Sequence, residues 1–210
     1  MEHCVPLATR PKRDAILHAI DAHDDGWAEE DAVPAVSPET GNVVDFVNAP
    51  VGVRQATSLR GVARLADDAW AAALVAQHRL TVYDRFRSEA EWRSFFAEVE
   101  AARGAWLRAS GASLEDLVSD YAFLRIGDLI SLAFCTGWTD EQRFGDWAVQ
   151  LFGTRVVVTP DVFGGAEIPI EITAREIRNQ PFRSDAELRD ALNDANTTML
   201  RGDVAGRRRA

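Results

Sequence analysis

Cysteine is scarce in this chain. Cys4 and Cys135 are the only two among 210 residues, too few for a disulfide framework, so the fold has to be held by burial rather than by covalent staples. Long hydrophobic runs are also missing. The apolar stretches fall well short of the roughly 20 residues needed to span a bilayer, and no charged, then apolar, then small-residue succession opens the chain as a secretion signal. A cytoplasmic protein with reduced thiols is the resulting expectation. Positive charge is in deficit as well: 23 Lys and Arg stand against 33 Asp and Glu, for a formal net charge of −10. A field of that sign repels nucleic acid and anionic membranes, so neither is expected as a partner. A small anionic substrate fits only where a bound cation inverts the local field. The chain has no GxSxG elbow, no phosphate-cradling Gly-rich loop and no CxxC site, which removes the commonest serine-hydrolase, nucleotide-loop and thiol-redox readings.

What the chain does have is core material. Hydrophobic residues make up 47% of it, with six Trp and ten Phe, enough for one sizeable domain. A helix is predicted over residues 13–23, where Ala15, Ile16, Ala19, Ile20 and His23 share a face. Gly26 stops it. Pro34, Pro38, Gly41, Pro50 and Gly52 predict an irregular loop over 28–53, long enough to be packed over something. Leu59, Val62, Ala66, Trp70, Ala73 and Leu74 continue in helical period over 55–78. Capping-box spacings at Ser88/Glu91, Thr139/Gln142 and Ser184/Glu187 predict three more helix starts, and Ser113 opens another that runs to about Cys135. The period changes to two at Val156–Val158 and at Ile168, Ile170 and Ile172, which predicts a β-hairpin at about 154–174. The expected architecture is mainly α, one domain over 1–199, with residues 200–210 as a flexible tail.

Four histidines limit where imidazole chemistry can occur. A single His on an apolar face is usually a satisfied core residue, so grouping decides. His23 and Asp24 end an apolar helix, where the backbone can turn and bring both side chains to one centre; imidazole and carboxylate together suit divalent ions such as Zn, Mn or Fe. Alternatively, Asp24 simply runs on into a solvated loop. Asp128 stands among Leu124, Ile126, Leu129 and Ile130, where a carboxylate is costly unless paired or metal-bound. It is read either as a ligand or as the i, i+3 partner of Arg125. His78 extends the buried stripe of Trp70 and Leu74. If residues 3–9 are helical and turn near Pro11, His3 folds back beside His23.

A histidine, a His-Asp pair ending an apolar helix, and a later Asp inside another make an order that resembles the HD-domain superfamily of metal-dependent phosphohydrolases. The resemblance rests on residues 19–26 and 125–132. The segments HDDGW at 23–27, the 38–46 loop, the helix over 71–78, DLISLAFC at 128–135 and Thr159–Phe163 resemble, more narrowly, an uncharacterised bacterial domain-of-unknown-function family. The superfamily implies an HD-like helical bundle and a divalent metal (Zn, Mn, Fe or Mg) held by His3, His23, Asp24 and Asp128. His78 would assist by proton transfer or by holding substrate, and Arg125 would meet an anionic group on a small phosphate ester or nucleotide-like molecule. The spacing from His3 to His23 is shorter than the superfamily pattern. Two other readings are a non-catalytic domain with a structural metal or polar core, and an iron-dependent oxygenase, for which histidines are too few.

Overall fold

The computed structural model describes residues 1–209. Eight α-helices are present among them: α1 (Val5–Ala8), α2 (Arg13–Ala22), α3 (Ala28–Ala32), α4 (Val51–Arg64), α5 (Ala69–Val82), α6 (Arg93–Ser110), α7 (Leu114–Thr136) and α8 (Asp185–Asp194). Five strands join them: β1 (Gln142–Phe144), β2 (Trp147–Phe152), β3 (Arg155–Thr159), β4 (Glu167–Glu176) and β5 (Asn196–Gly206). They form one mixed sheet in the order β1-β2-β3-β5-β4, antiparallel except for the parallel pair β3/β5. The fold is therefore α/β, which corrects the mainly-α expectation of a helical bundle with one small hairpin.

Three errors of local reading produced that expectation. The capping-box spacing at Thr139/Gln142 opens no helix; residues 142–152 are β1 and β2. Trp147, Val149 and Leu151 repeat at period two, and two-residue turns at Gly145-Asp146 and Gly153-Thr154 join β1, β2 and β3. Both glycines carry positive φ, 56° and 63°, as tight hairpins demand of their first turn residue. Strands β3 and β4 are not hairpin partners, because β5 lies between them. Of the expected tail, residues 200–206 belong to β5, and Ala210 lies outside the described residues.

The helices follow their local signals more closely. Ser113 accepts from the Asp116 amide and Asp116 accepts from the Ser113 amide, a reciprocal cap that starts α7. Ser184 accepts from the Glu187 amide and starts α8. The Ser88/Glu91 spacing does not act as a cap: a short 3₁₀ turn over 90–92 leads into α6. The single helix predicted over 55–78 is two, broken at 65–68, where Asp68 accepts from the Ala71 amide to start α5.

The helix α5 is apolar all round. Trp70 through Ala76 are buried without interruption, as are His78, Arg79 and Leu80. A helix with no polar face has to be enclosed, and α2, α4, α6 and α7 surround it. The long α7 in turn lies against β1, β2 and β3, so it joins the helical layer to the sheet. Among the described residues no helix is long and apolar enough to cross a membrane.

Candidate metal centre

Helices α2, α5 and α7 pack on one another in a triangle, and each delivers one group to its middle. His23 is the C-cap of α2. His78 sits in the buried body of α5, and Asp128 in that of α7. One ligand atom from each lies within 4.8 Å of those from the other two. The shortest approaches are 3.5 Å from His23 Nε2 to Asp128 Oδ1 and 3.9 Å from His78 Nε2 to Asp128 Oδ2. Ligands about 2.0–2.1 Å from one ion stand about 3.0–3.4 Å apart along the edges of an octahedron or tetrahedron. Both approaches lie beyond that spacing, so an ion bound there would have to draw the three side chains inward. The donor set of two imidazoles and a carboxylate is one that first-row divalent ions accept.

The backbone places His23 by close approach. Gly26 turns the chain just after α2 and lies against α4; a Cβ there would stand 2.0 Å from the Thr57 carbonyl oxygen and 2.8 Å from the Gly61 nitrogen. Glycine is required here for contact, whereas the sequence suggested only a helix stop. Arg79, buried at 3% exposure, donates through Nη2 to the His23 carbonyl at the end of α2 and to Asp24 Oδ1 at 3.1 Å. A cation at a helix C-terminus also complements the macrodipole.

Asp24 lies beside the cluster, not inside it. Its Oδ2 is 3.1 Å from His23 Nε2, but its side chain is 58% exposed and it is absent from the mutually close set. Arg125 forms an ion pair with Asp128 from one turn earlier on α7, at the half-buried rim. His3 is outside the centre. It is exposed and precedes α1, a single turn. The N-terminal segment is fastened by buried Cys4 and Leu7 and by the Val5 amide donating to the Val162 carbonyl at 2.8 Å; Met1 lies near Gly127 and Ile20, but His3 is not among the mutually close groups. Of the stretch 28–53, expected as an irregular loop packed over something, residues 28–32 form α3 and 51–53 open α4, and the part between is tied to 181–185: the Phe182 amide donates to the Gly41 carbonyl, and the Val36 amide to Asp185 Oδ1, both at 2.8 Å.

Electrostatics distinguish the two histidines. Burial disfavours charge on His23, but hydrogen bonds and the charges of Asp128 and Asp24 outweigh it and raise its pKa to about 10. Its Nδ1 lies 2.7 Å from the Ile20 carbonyl, which can only accept, so Nδ1 carries a proton and Nε2 is the atom turned to the carboxylates. His78 is the opposite case. Burial, with the nearby charges of Arg79 and His23, outweighs Asp128 and lowers its pKa to about 3. Partial desolvation works against the Asp24 carboxylate, but the hydrogen bond from His23 and the charge of Arg79 hold it well below the usual range. For Asp128, burial is likewise outweighed by His23, His78 and Arg125. At neutral pH the centre therefore holds one imidazolium, one neutral imidazole and two carboxylates.

Two contributors escaped the sequence reading. Arg79 was visible as a lone cation within an apolar helix next to His78. Tyr121 lies on the face of α7 that carries Asp128, two turns earlier, and its hydroxyl is 3.2 Å from His78 Nδ1. No curated protein and no solved structure is significantly similar to the chain, and nothing in the comparisons points to the HD superfamily. A family described as "Protein of unknown function (DUF3891)" matches residues 6–179. That span holds His23, Asp24, His78 and Asp128 and leaves out His3, and the chain belongs to this family.

Proposed function

We propose that the protein is a metal-dependent hydrolase whose ion is held by His23, His78 and Asp128. The observation that carries the reading is the convergence of two imidazoles and a carboxylate, from three different helices, at distances that one ion spans once the side chains are drawn inward. A buried carboxylate needs a cation beside it; a metal ion would take over from the His23 proton the charge that faces Asp128. Three protein ligands leave a coordination position open, as catalytic sites do and closed structural sites do not. A divalent ion bound there supplies Lewis acidity toward water and toward a phosphoryl oxygen.

The chain's own residues then have separable tasks. His78, neutral at physiological pH, offers its ring nitrogen without first losing a proton. His23 gives up its Nε2 proton on binding the ion. Asp24, exposed and anchored by Arg79, stays ionised at the mouth and can orient water by accepting its hydrogen bond. Arg125, freed from Asp128 once the carboxylate is shared, meets an anionic group of the substrate, a small phosphate ester. The ordered pair His23-Asp24 followed by Asp128 is the part of the HD pattern this proposal keeps; His78 takes the place assigned to His3.

Hydrolysis of p-nitrophenyl phosphate by metal-depleted protein, assayed after adding Mn, Zn, Fe(II) or Mg in turn, tests the reading. Activity restored by one of these ions and abolished in His78→Gln is the expected result. A second reading is favoured by one feature: His23, as an imidazolium, already bridges Asp24 and Asp128 and neutralises them in part. On that reading the cluster is a metal-free polar core, and none of the four ions binds.

A further inference from the structure

Beyond the end of α5 the chain makes two short 3₁₀ turns, over 84–86 and 90–92, before α6 begins. They build an aromatic bed. Trp92, fully buried, stacks nearly parallel on Phe86 with ring centroids 5.0 Å apart, and Tyr83 and Phe95 pack against it at 4.8 and 5.3 Å. Three arginines lie over these rings and their neighbour Phe96. Arg87 stands over Phe96 and pairs with two carboxylates, Asp84 and Glu100. Arg54, from the first turn of α4, lies over Phe86 and Trp92 at 5.1 and 5.4 Å, and Arg85 stands over Phe86 at 4.6 Å. Among the described residues, neither of these two guanidinium groups has an ion-pair or hydrogen-bond partner.

Arg54 is the more constrained of the pair. It is half-buried, its Nε is closed off without an acceptor, and so is the indole Nε1 of Trp92 beside it. Ring faces replace only part of the hydration that such a charge gives up. They do hold the guanidinium in place, while its two Nη atoms stay open to solvent. A planar fork fixed in this way, with its outer edge free, is pre-organised for two parallel hydrogen bonds to an oxyanion. Arg85, exposed, brings a second positive charge to the same ring.

We propose that Arg54 and Arg85 bind the phosphate group of a small soluble molecule, at a site that shares no residue with the metal centre. The Arg54 Nη pair donates to two phosphate oxygens, and Arg85 offsets the second negative charge. Two cations without a carboxylate suit a dianion better than a singly charged carboxylate. The net charge of −10 disfavours nucleic acid and anionic membranes as the source of that phosphate. Helix α4 reaches Arg79 of the metal centre two turns further on, at Gly61, about 10 Å along its axis from Arg54.

The test uses the full chain, ¹⁵N-labelled, stripped of metal and held in Tris near neutral pH. Arginine Nε–H signals are followed as inorganic phosphate is added; the Arg54 signal is the one missing from Arg54→Lys. A saturating shift of that signal in the millimolar range is expected, together with a shift of one tryptophan indole N–H. Arg54→Lys keeps the charge and loses the fork, and should weaken phosphate binding, read from the indole signal, about 10-fold. Arg85→Gln, at an exposed position, should leave the thermal midpoint unchanged and weaken binding about 2–5-fold. Acetate should bind more weakly than phosphate, and sodium chloride at matched ionic strength should give no saturating shift. The proposal is overturned by the absence of a saturating phosphate shift at Arg54, by an equal response to chloride or acetate, or by unchanged phosphate affinity in either variant.

Discussion

The two long elements that meet at the candidate centre and the ribbon formed by β4 and β5 are built on opposite principles. In α5 and α7 nearly every inward position is closed off, and the charges found there, Arg79, Asp120 and Asp128, are all but fully buried, as is the neutral His78. In the ribbon no residue of β4 is buried, and in β5 only Val204 is. Strand β3 pairs with β5 over Asp203–Gly206 alone, so the rest of β5 has β4 as its sole neighbour. The ribbon's ion pairs stand in water: Arg201 and Glu171 meet at 3.1 Å with side chains 71% and 58% exposed. Such pairs contribute about 0–1 kcal/mol. The same residue types are thus incidental in one region and decisive in the other, because the surroundings determine what a charge costs.

That contrast can be tested first where it should be largest. Leu124 in α7 is fully buried beside the centre, and Leu124→Ala should cost about 2–5 kcal/mol, read from urea unfolding. An effect under 1 kcal/mol would mean that the helical layer is loosely packed.

A second test is pH. In the metal-free protein His78 has a folded pKa near 3, below its ordinary 6.5. The unfolded chain therefore takes up that proton first, and stability falls as pH drops from about 6.5 toward 3. His23 has a folded pKa near 10, above the same reference; its contribution is complete below about 6.5 and is lost as pH rises through 10. The thermal midpoint in EDTA should therefore peak near neutrality. His78→Gln should flatten the acid limb, apart from the share of Asp24, Asp128 and the other carboxylates held low, below about pH 4, and His23→Gln the alkaline one. The ribbon contains no histidine, so changes there should shift the whole curve without altering its shape.

Smaller effects follow at the edges of the helical layer. Asp68 caps α5 and lies 2.9 Å from His18 Nδ1; Asp68→Ala should cost about 1 kcal/mol by the same unfolding measurement. Leu200, 40% exposed on the ribbon, should tolerate Leu200→Ser within about 0.5 kcal/mol. A larger loss there would show that something covers the ribbon.

The contrast also explains what the sequence disclosed. Amphipathic α2, the Ser113 cap of α7 and the Ser184 cap of α8 are local signals, and they were legible. So were His23, Asp24, His78 and Asp128 as candidates, since each is a polar group in or at the end of an apolar run. The break at 65–68 was missed because apolar residues lie on both sides of it. Strand β5 is hidden in the sequence because NTTMLRGD has no alternation to read: its outer half faces water on both sides, and its parallel partners in β3 lie 48 residues back in the chain, Arg155 opposite Asp203. The place of His3, outside the mutually close set, depends on how the segment before α1 is fastened, here to Val162, which spacing along the chain does not reveal. The identity of the third group, His78 in place of His3, was a matter of tertiary packing and could not be read from spacing.

The most direct measurement of the central claim is the metal content and thermal midpoint of untagged wild-type protein and Asp128→Asn, compared side by side. The near-isosteric change removes one buried charge and one ligand. The account predicts about one tightly held divalent ion per wild-type chain, a midpoint lowered by EDTA, and loss of both the ion and the EDTA response in Asp128→Asn. A wild-type protein that takes up no divalent ion, with Asp128→Asn melting at a higher temperature, would contradict it, because the buried ion cluster of Asp128, Arg125 and His23 would then cost more than a neutral amide in its place.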